Sequence, residues 1–209
     1  MQYVVMLFIL LMQLPAKAQV ANQSKSLESA VMQFNQLNST AAYQQVYAQF
    51  EQLYATDKKN WLIPYYAAMI QSRMCFLKMG DNDRLANTAL LWIARAKSIE
   101  LNDEIYCAES MANTAKMSVN PLMRWLTYED KIRQPLQLAK RLNPNNPRIY
   151  LLEANIQQKL PSLFGGGCKS TKPLIQKAEL CLNKQSIPTP MHPSWGSQAL
   201  TELKKACPL

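Results

Sequence analysis

The chain has 209 residues, and its 23 Lys and Arg against 14 Asp and Glu give a formal net charge of +9. The basic residues are scattered in short doublets without an arginine-rich helix or a basic-aromatic motif, so no nucleic-acid partner is expected. The only histidine is His192 and no C-x-x-C spacing occurs, so neither a metal site nor a dithiol redox motif is predicted.

The first eighteen residues have the features of a secretory signal peptide. An apolar run from Val4 to Leu14 is too short to span a bilayer as a helix, and it ends at the A-x-A cleavage site Ala16-Lys17-Ala18. We therefore expect residues 1–18 to be removed and residues 19–209 to form one periplasmic or secreted domain. No second long apolar segment follows, so stable membrane insertion after cleavage is not expected.

Five cysteines follow the predicted signal peptide, namely Cys75, Cys107, Cys168, Cys181 and Cys207. An oxidising compartment permits disulfides, and an odd number leaves at least one thiol unpaired or paired between chains. The last three cysteines lie within the final 42 residues, where a bridge could hold the C-terminus. The first two lie on predicted helices and are expected to be buried as small apolar side chains.

Helical periodicity covers the first half of the predicted domain. Its apolar stripes lie over residues 27–37, 43–54, 61–79, 85–99 and 105–115. Gly80 follows the third stripe and suits the end of a helix. Small residues such as Ala89 and Ala112 on these stripes allow neighbouring helices to approach closely.

The second half is helical too, with one break. Residues 118–128 are predicted to be irregular, and the next helix is predicted to begin near Arg133, because Pro135 suits a first turn better than an interior. The remaining predicted elements are helices over 149–160 and 174–181, an extended proline-rich loop over 187–194 and a capping helix over 195–206. No strand candidate occurs, so the predicted fold class is all-α.

Three short segments recur along the chain, at residues 61–65, 102–106 and 146–150. Their tyrosines are 41 and 44 residues apart, and each segment opens a predicted helix. Recurrence at such a period is typical of stacked helical repeats. The following helices carry the patterns Ala89-x-x-x-Ile93-x-x-Ala96 and Ile132-x-x-x-Leu136-x-x-Ala139 with Pro144 beyond.

These patterns resemble the second helix of the tetratricopeptide repeat (TPR) family. The resemblance implies stacked antiparallel helical hairpins that form a short superhelix, with a repeat core of about 61–183 followed by a C-terminal loop and capping helix over 184–209. The observed period exceeds the usual repeat of about 34 residues, so a divergent array is expected.

The segment Leu163–Gly167 resembles an insertion in secreted TPR-like bacterial proteins, some of which are linked to periplasmic solute transport. A weak anion site is one of two interpretations of this segment, because glycines before a helix can present N–H groups. Its residues would be Gly165, Gly166, Gly167 and Lys169. The spacing of a P-loop is absent, and we favour a structural turn.

The sequence contains no recognisable nucleophile, metal cluster or paired carboxylates, so we expect a non-catalytic protein without a cofactor. In TPR-like folds the first helix of each pair lines the concave face. The resemblance therefore implies a scaffold that binds a protein or peptide of the cell envelope through exposed aromatic residues. The candidate contacts are Tyr65, Tyr66, Tyr106, Trp125 and Tyr150, and core filling is their alternative role.

The second functional hypothesis is a periplasmic carrier of a small apolar ligand or a transport-associated accessory protein. Methionine side chains could line an adaptable apolar pocket, although they could equally fill the core. The methionines concerned are Met69, Met74, Met79, Met111, Met117 and Met123.

Overall fold

The structure is a computed structural model that describes residues 23–208, so the predicted signal peptide lies outside the described residues. The secondary structure of the described part is helical, without a strand. Its elements are α1 (residues 23–34), α2 (Thr40–Thr56), α3 (Leu62–Phe76), α4 (Asn82–Ile99), α5 (Asp103–Ser118), α6 (Pro121–Leu142), α7 (Pro147–Lys159), a 3-10 turn (Ser162–Phe164), α8 (Cys168–Lys184) and α9 (Ser197–Ala206).

Consecutive helices pack as pairs, and the pairs pack on one another. The most extensive contacts join α3 to α4, α5 to α6 and α7 to α8. In addition α3 contacts α5 and α5 contacts α7, so the first helix of each pair adjoins the first helix of the next. The predicted all-α fold of stacked helices is confirmed.

Polar side chains fix where most of the helices begin. At five helix starts the side chain of the preceding residue accepts a backbone N–H of the first turn, which otherwise has no partner. These capping residues are Ser39, Asp81, Asn102, Asn120 and Asn146. Asn60, which directly precedes the first recurring segment, also accepts the N–H of Leu62 over 3.1 Å, so an asparagine side chain accepts a backbone N–H at the start of α3, α5 and α7.

The predicted break over residues 118–128 is wrong, because α6 begins at Pro121 and continues through Pro135 to Leu142. Pro121 occupies the first helical position, where a missing N–H costs nothing. Pro135 removes one hydrogen bond inside the helix, but its ring is buried beside Ile132 and Leu136. Burial of this apolar stripe outweighs the lost bond.

Helix α3 is at the centre of the fold, since 13 of its 15 residues are buried. Helices α2, α4 and α5 cover it on several sides. Residues 185–196, which we call the C-terminal segment, contact it as well. Tyr66 donates its hydroxyl to the carbonyl of Met191 over 2.8 Å, and the ring of His192 lies 5.9 Å from that of Trp61.

A disulfide between Cys168 and Cys207 joins the start of α8 to the end of α9. It is a bridge of the kind predicted among the last three cysteines. Cys75, Cys107 and Cys181 are free and buried, as expected for the first two. The C-terminal segment is therefore held at both ends, by α8 before it and by the cross-linked α9 after it.

Candidate functional site: an exposed apolar platform

Of the five aromatic residues proposed as partner contacts, three are buried and two are half-exposed. Tyr65, Tyr66 and Tyr150 are buried, so their expected exposure is not found. The two α3 tyrosines are covered by the C-terminal segment, and Tyr150 donates its hydroxyl to the carbonyl of Pro144 over 2.7 Å. Only Tyr106 and Trp125 are half-exposed, so the five residues do not form one exposed surface.

The glycine run is a structural turn. The N–H groups of Gly165, Gly166 and Gly167 donate to the carbonyls of Ser162, Pro161 and Gln157. An anion would have to compete with these internal acceptors, so the three glycine amides do not form an anion cradle. A Cβ atom at Gly166 would lie 2.0 Å from the carbonyl oxygen of Leu160, which explains the need for glycine there.

The methionines proposed to line a pocket are distributed differently. Met69 and Met74 are buried in the core, and Met79 and Met111 pack against the same core. Met123 instead is among the most exposed apolar residues of the described chain. Core filling therefore accounts for four of the six.

The most exposed large apolar side chains lie in two short segments. Their exposed fractions are 96% for Leu122, 77% for Met123, 89% for Leu126, 88% for Leu163 and 72% for Phe164. Every other exposed large apolar side chain in the described residues is at most 63% exposed. We call these five residues the apolar platform. Contiguous apolar exposure, such as that of Leu122, Met123 and Leu126 on α6, usually marks a binding surface.

Polar contacts hold the first turns of α6 with their apolar side outward. Leu122 and Leu126 are four residues apart and share one face of the helix. Arg124 projects from a different face and pairs with both carboxylate oxygens of Asp83, at 2.7 and 2.9 Å. Lys116 contacts the same carboxylate, and these hydrogen bonds hold the pKa of Asp83 well below its usual range.

The segment with Leu163 and Phe164 is held in a similar way. Gly165 follows it with a φ of 78°, a left-handed conformation that glycine adopts without strain. The carbonyl of Gly165 accepts the side-chain amide of Gln157 at 2.5 Å and the hydroxyl of Ser170 at 2.8 Å. Both parts of the platform are therefore fixed by polar contacts and do not depend on apolar packing.

A cleft of about 480 Å³ lies elsewhere, between the starts of α5 and α7, the end of α8 and the C-terminal segment. On its wall Arg148 donates its Nε–H to Glu104 over 2.7 Å, and both side chains are buried. Burial raises the pKa of Glu104 to about 7. His192 also lines the cleft, with Nδ1 at 2.8 Å from the hydroxyl of Thr189.

Across residues 23–208 no group of three or more His, Cys, Asp or Glu side chains could hold a metal ion. Nor does any helix in that range combine the length and apolar character needed to cross a membrane.

Helical periodicity did not identify the platform, because the sequence predicts residues 118–128 to be irregular. The unusual signal is four large apolar residues in the first six positions of α6, namely Leu122, Met123, Trp125 and Leu126.

Comparison with known proteins finds a solved structure with a similar fold. No family model matches the chain, and no curated protein matches it. Among solved structures it matches the HusA haemophore from Porphyromonas gingivalis with a TM-score of 0.80 and 30% sequence identity. The match covers 88% of this chain and 92% of that one, so it extends over nearly the whole of both proteins.

Proposed function

Because the chain belongs to the same family as the HusA haemophore, we propose that it is a non-enzymatic carrier of haem or a related porphyrin that acts outside the cytoplasm. The observation that supports this function on the molecule itself is the apolar platform. A porphyrin is a flat apolar ring with charged carboxylates at one edge. It needs an exposed apolar surface, and the platform has the most exposed apolar side chains of the described residues.

The platform contacts can supply a large part of the binding free energy of a carrier. Complete burial of one Leu, Met or Phe side chain contributes about 1.5–3 kcal/mol. Three platform side chains against the ring would thus contribute about 5–9 kcal/mol, and a Kd of 1 μM corresponds to about 8 kcal/mol. Since association and ordering offset part of this gain, micromolar binding requires further contacts with the porphyrin.

The side chains of the platform also determine how the ring would be held. Met123 is its only side chain able to ligate iron. The single histidine, His192, lies in the C-terminal segment against Trp61 and is bonded to Thr189. Apolar contact with the ring is thus the main interaction in this proposal. Iron-free protoporphyrin IX is expected to bind about as tightly as haem.

Paired variants test the platform. Leu122→Asn with Leu126→Asn removes two exposed apolar side chains without disturbing the core. The matched control is Leu91→Asn with Leu101→Asn, since these leucines are 63% and 59% exposed on other parts of the surface. Titration of haem and of iron-free protoporphyrin IX, followed by absorbance and fluorescence, should show at least about 10-fold weaker binding for the platform variant only. Equal affinities for all three proteins would refute the platform as the site.

Binding of a protein or peptide is the second candidate function. Trp125 is half-exposed and lies within the first turns of α6, beside the platform leucines. An apolar surface on a helix can also accept the apolar face of a partner helix. Native mass spectrometry of the protein purified from its own cell envelope separates the two functions. A co-purifying porphyrin supports the carrier, whereas a stoichiometric polypeptide without porphyrin supports the scaffold.

A further inference from the structure

The positive charge of the protein is concentrated toward its C-terminus. Residues 159–208 contain seven lysines and two glutamates. The rest of the chain therefore holds 16 of the 23 basic residues and 12 of the 14 acidic ones, a nearly balanced ratio. The last 50 described residues thus carry a net charge of +5, slightly more than half of the total of +9.

The two glutamates of this region are already paired. Lys204 contacts Glu179 at 2.5 Å, and Lys205 contacts Glu202 at 2.9 Å, so both acids are bound by lysines of α9. The four lysines of α8, which are Lys169, Lys172, Lys177 and Lys184, form no ion pair with any described residue. One of them, Lys177, lies over the ring of Tyr150 at 5.7 Å.

Helical geometry brings these lysines to the outward side of α8. The buried side consists of Thr171, Ile175, Ala178 and Cys181. The four lysines lie on the other side and extend over about 22 Å, given a rise of about 1.5 Å per residue. Leu180 lies among them and is 57% exposed. We call Lys169, Lys172, Lys177, Leu180 and Lys184 the basic face.

We propose that the basic face docks the protein on an anionic membrane surface. Lysines without ion-pair partners on one side of a helix attract an anionic membrane surface electrostatically. The lysines are separated along a helix and do not converge on one point, so the face suits a diffuse layer of headgroup charge better than one acidic side chain.

Electrostatic attraction of this kind has a predictable size. Each lysine near an anionic membrane strengthens binding about five-fold, and the effect decreases over a Debye length of about 8–10 Å. Removal of three lysines should therefore weaken binding about 100-fold at low ionic strength. Physiological salt should reduce this difference in affinity between the wild type and the variant without abolishing it.

The experiment compares two triple variants of equal charge. Lys169→Gln, Lys172→Gln and Lys184→Gln change the basic face, while Lys58→Gln, Lys59→Gln and Lys131→Gln remove the same charge from exposed sites elsewhere. Co-sedimentation would use vesicles of phosphatidylcholine alone and of phosphatidylcholine mixed with phosphatidylglycerol. We expect the wild type and the control triple variant to bind the mixed vesicles. The basic-face triple variant should lose this binding.

Three results would overturn the proposal. The wild type could bind the two kinds of vesicle equally, which would show that anionic headgroups are not recognised. The two triple variants could lose the same affinity, which would assign the effect to overall charge. Retention on a polyglutamate resin without any binding to mixed vesicles would indicate an acidic protein partner instead. Circular dichroism confirms that both triple variants are folded.

Discussion

Trp195 donates its indole N–H to the hydroxyl oxygen of Tyr65 over 2.9 Å, although 130 residues separate the two in the chain. This part-buried bond joins the C-terminal segment to α3, the most buried helix of the described residues. Arg148, at the start of α7, donates to the carbonyl of Trp195 over 3.2 Å and holds the same segment from a second side. The segment is therefore an integral part of the core.

The change Tyr65→Phe should lower the free energy of unfolding by about 1–3 kcal/mol, because it leaves the indole N–H of Trp195 without its acceptor in a buried position. Urea denaturation followed by circular dichroism measures this loss. Tyr106→Phe is the control, since this half-buried tyrosine makes no hydrogen bond through its hydroxyl to any described residue. Its effect should stay within about 0.5 kcal/mol. Equal stability of the Tyr65 variant and the wild type would contradict the assigned role.

Glu104 should make stability fall as the pH rises. Burial raises its pKa from the ordinary 4.5 to about 7 in the folded protein. Between these two pKa values the folded state holds a proton that the unfolded state has lost. The stabilisation that this proton provides is therefore complete below pH 4.5 and is lost as the pH rises through about 7. The expected difference is about 3 kcal/mol.

The change Glu104→Gln removes this titration and keeps an acceptor for Arg148. Denaturation midpoints at pH 5 and pH 8 should therefore differ less in the variant than in the wild type. Asp83 does not interfere in this range, because its lowered pKa affects stability only at more acidic pH. The same pH dependence in both proteins would show that Glu104 titrates normally.

The disulfide between Cys168 and Cys207 should stabilise the fold by about 3–4 kcal/mol, because it closes a loop of 39 residues in the unfolded chain. Thermal unfolding with and without a thiol reductant measures this contribution. The reductant should lower the Tm of the wild type and leave that of the Cys168→Ser, Cys207→Ser double variant unchanged. A wild type indifferent to the reductant would mean that the bridge adds no stability.

Gly166→Ala should destabilise the turn before α8 more than Gly165→Ala. The Cβ of the first variant would overlap the backbone of Leu160, and overpacking of this kind costs about 1–3 kcal/mol. At Gly165 there is open space, so only the left-handed backbone opposes the substitution, at about 1 kcal/mol. Differential scanning calorimetry of both variants ranks them, and the reverse order would contradict the geometry of the turn.

The sequence by itself determined the local elements of this protein. The recurring segments at Trp61, Asn102 and Asn146 coincide with the starts of α3, α5 and α7, because a capping asparagine acts only on residues two or three positions away. The absence of alternating apolar patterns likewise predicted the all-α fold. Pro135 misled the prediction, since its cost as a helix breaker is local while the burial that offsets it comes from packing against α5.

Only the tertiary structure decided which aromatic and apolar residues are available to a ligand. Tyr65 and Leu122 are both large side chains in the first turns of their helices, yet one is buried and the other is almost completely exposed. The difference arises because a segment more than a hundred residues away covers Tyr65, whereas nothing in residues 23–208 covers Leu122. Burial depends on contacts between distant parts of the chain, and helical periodicity carries no information about them.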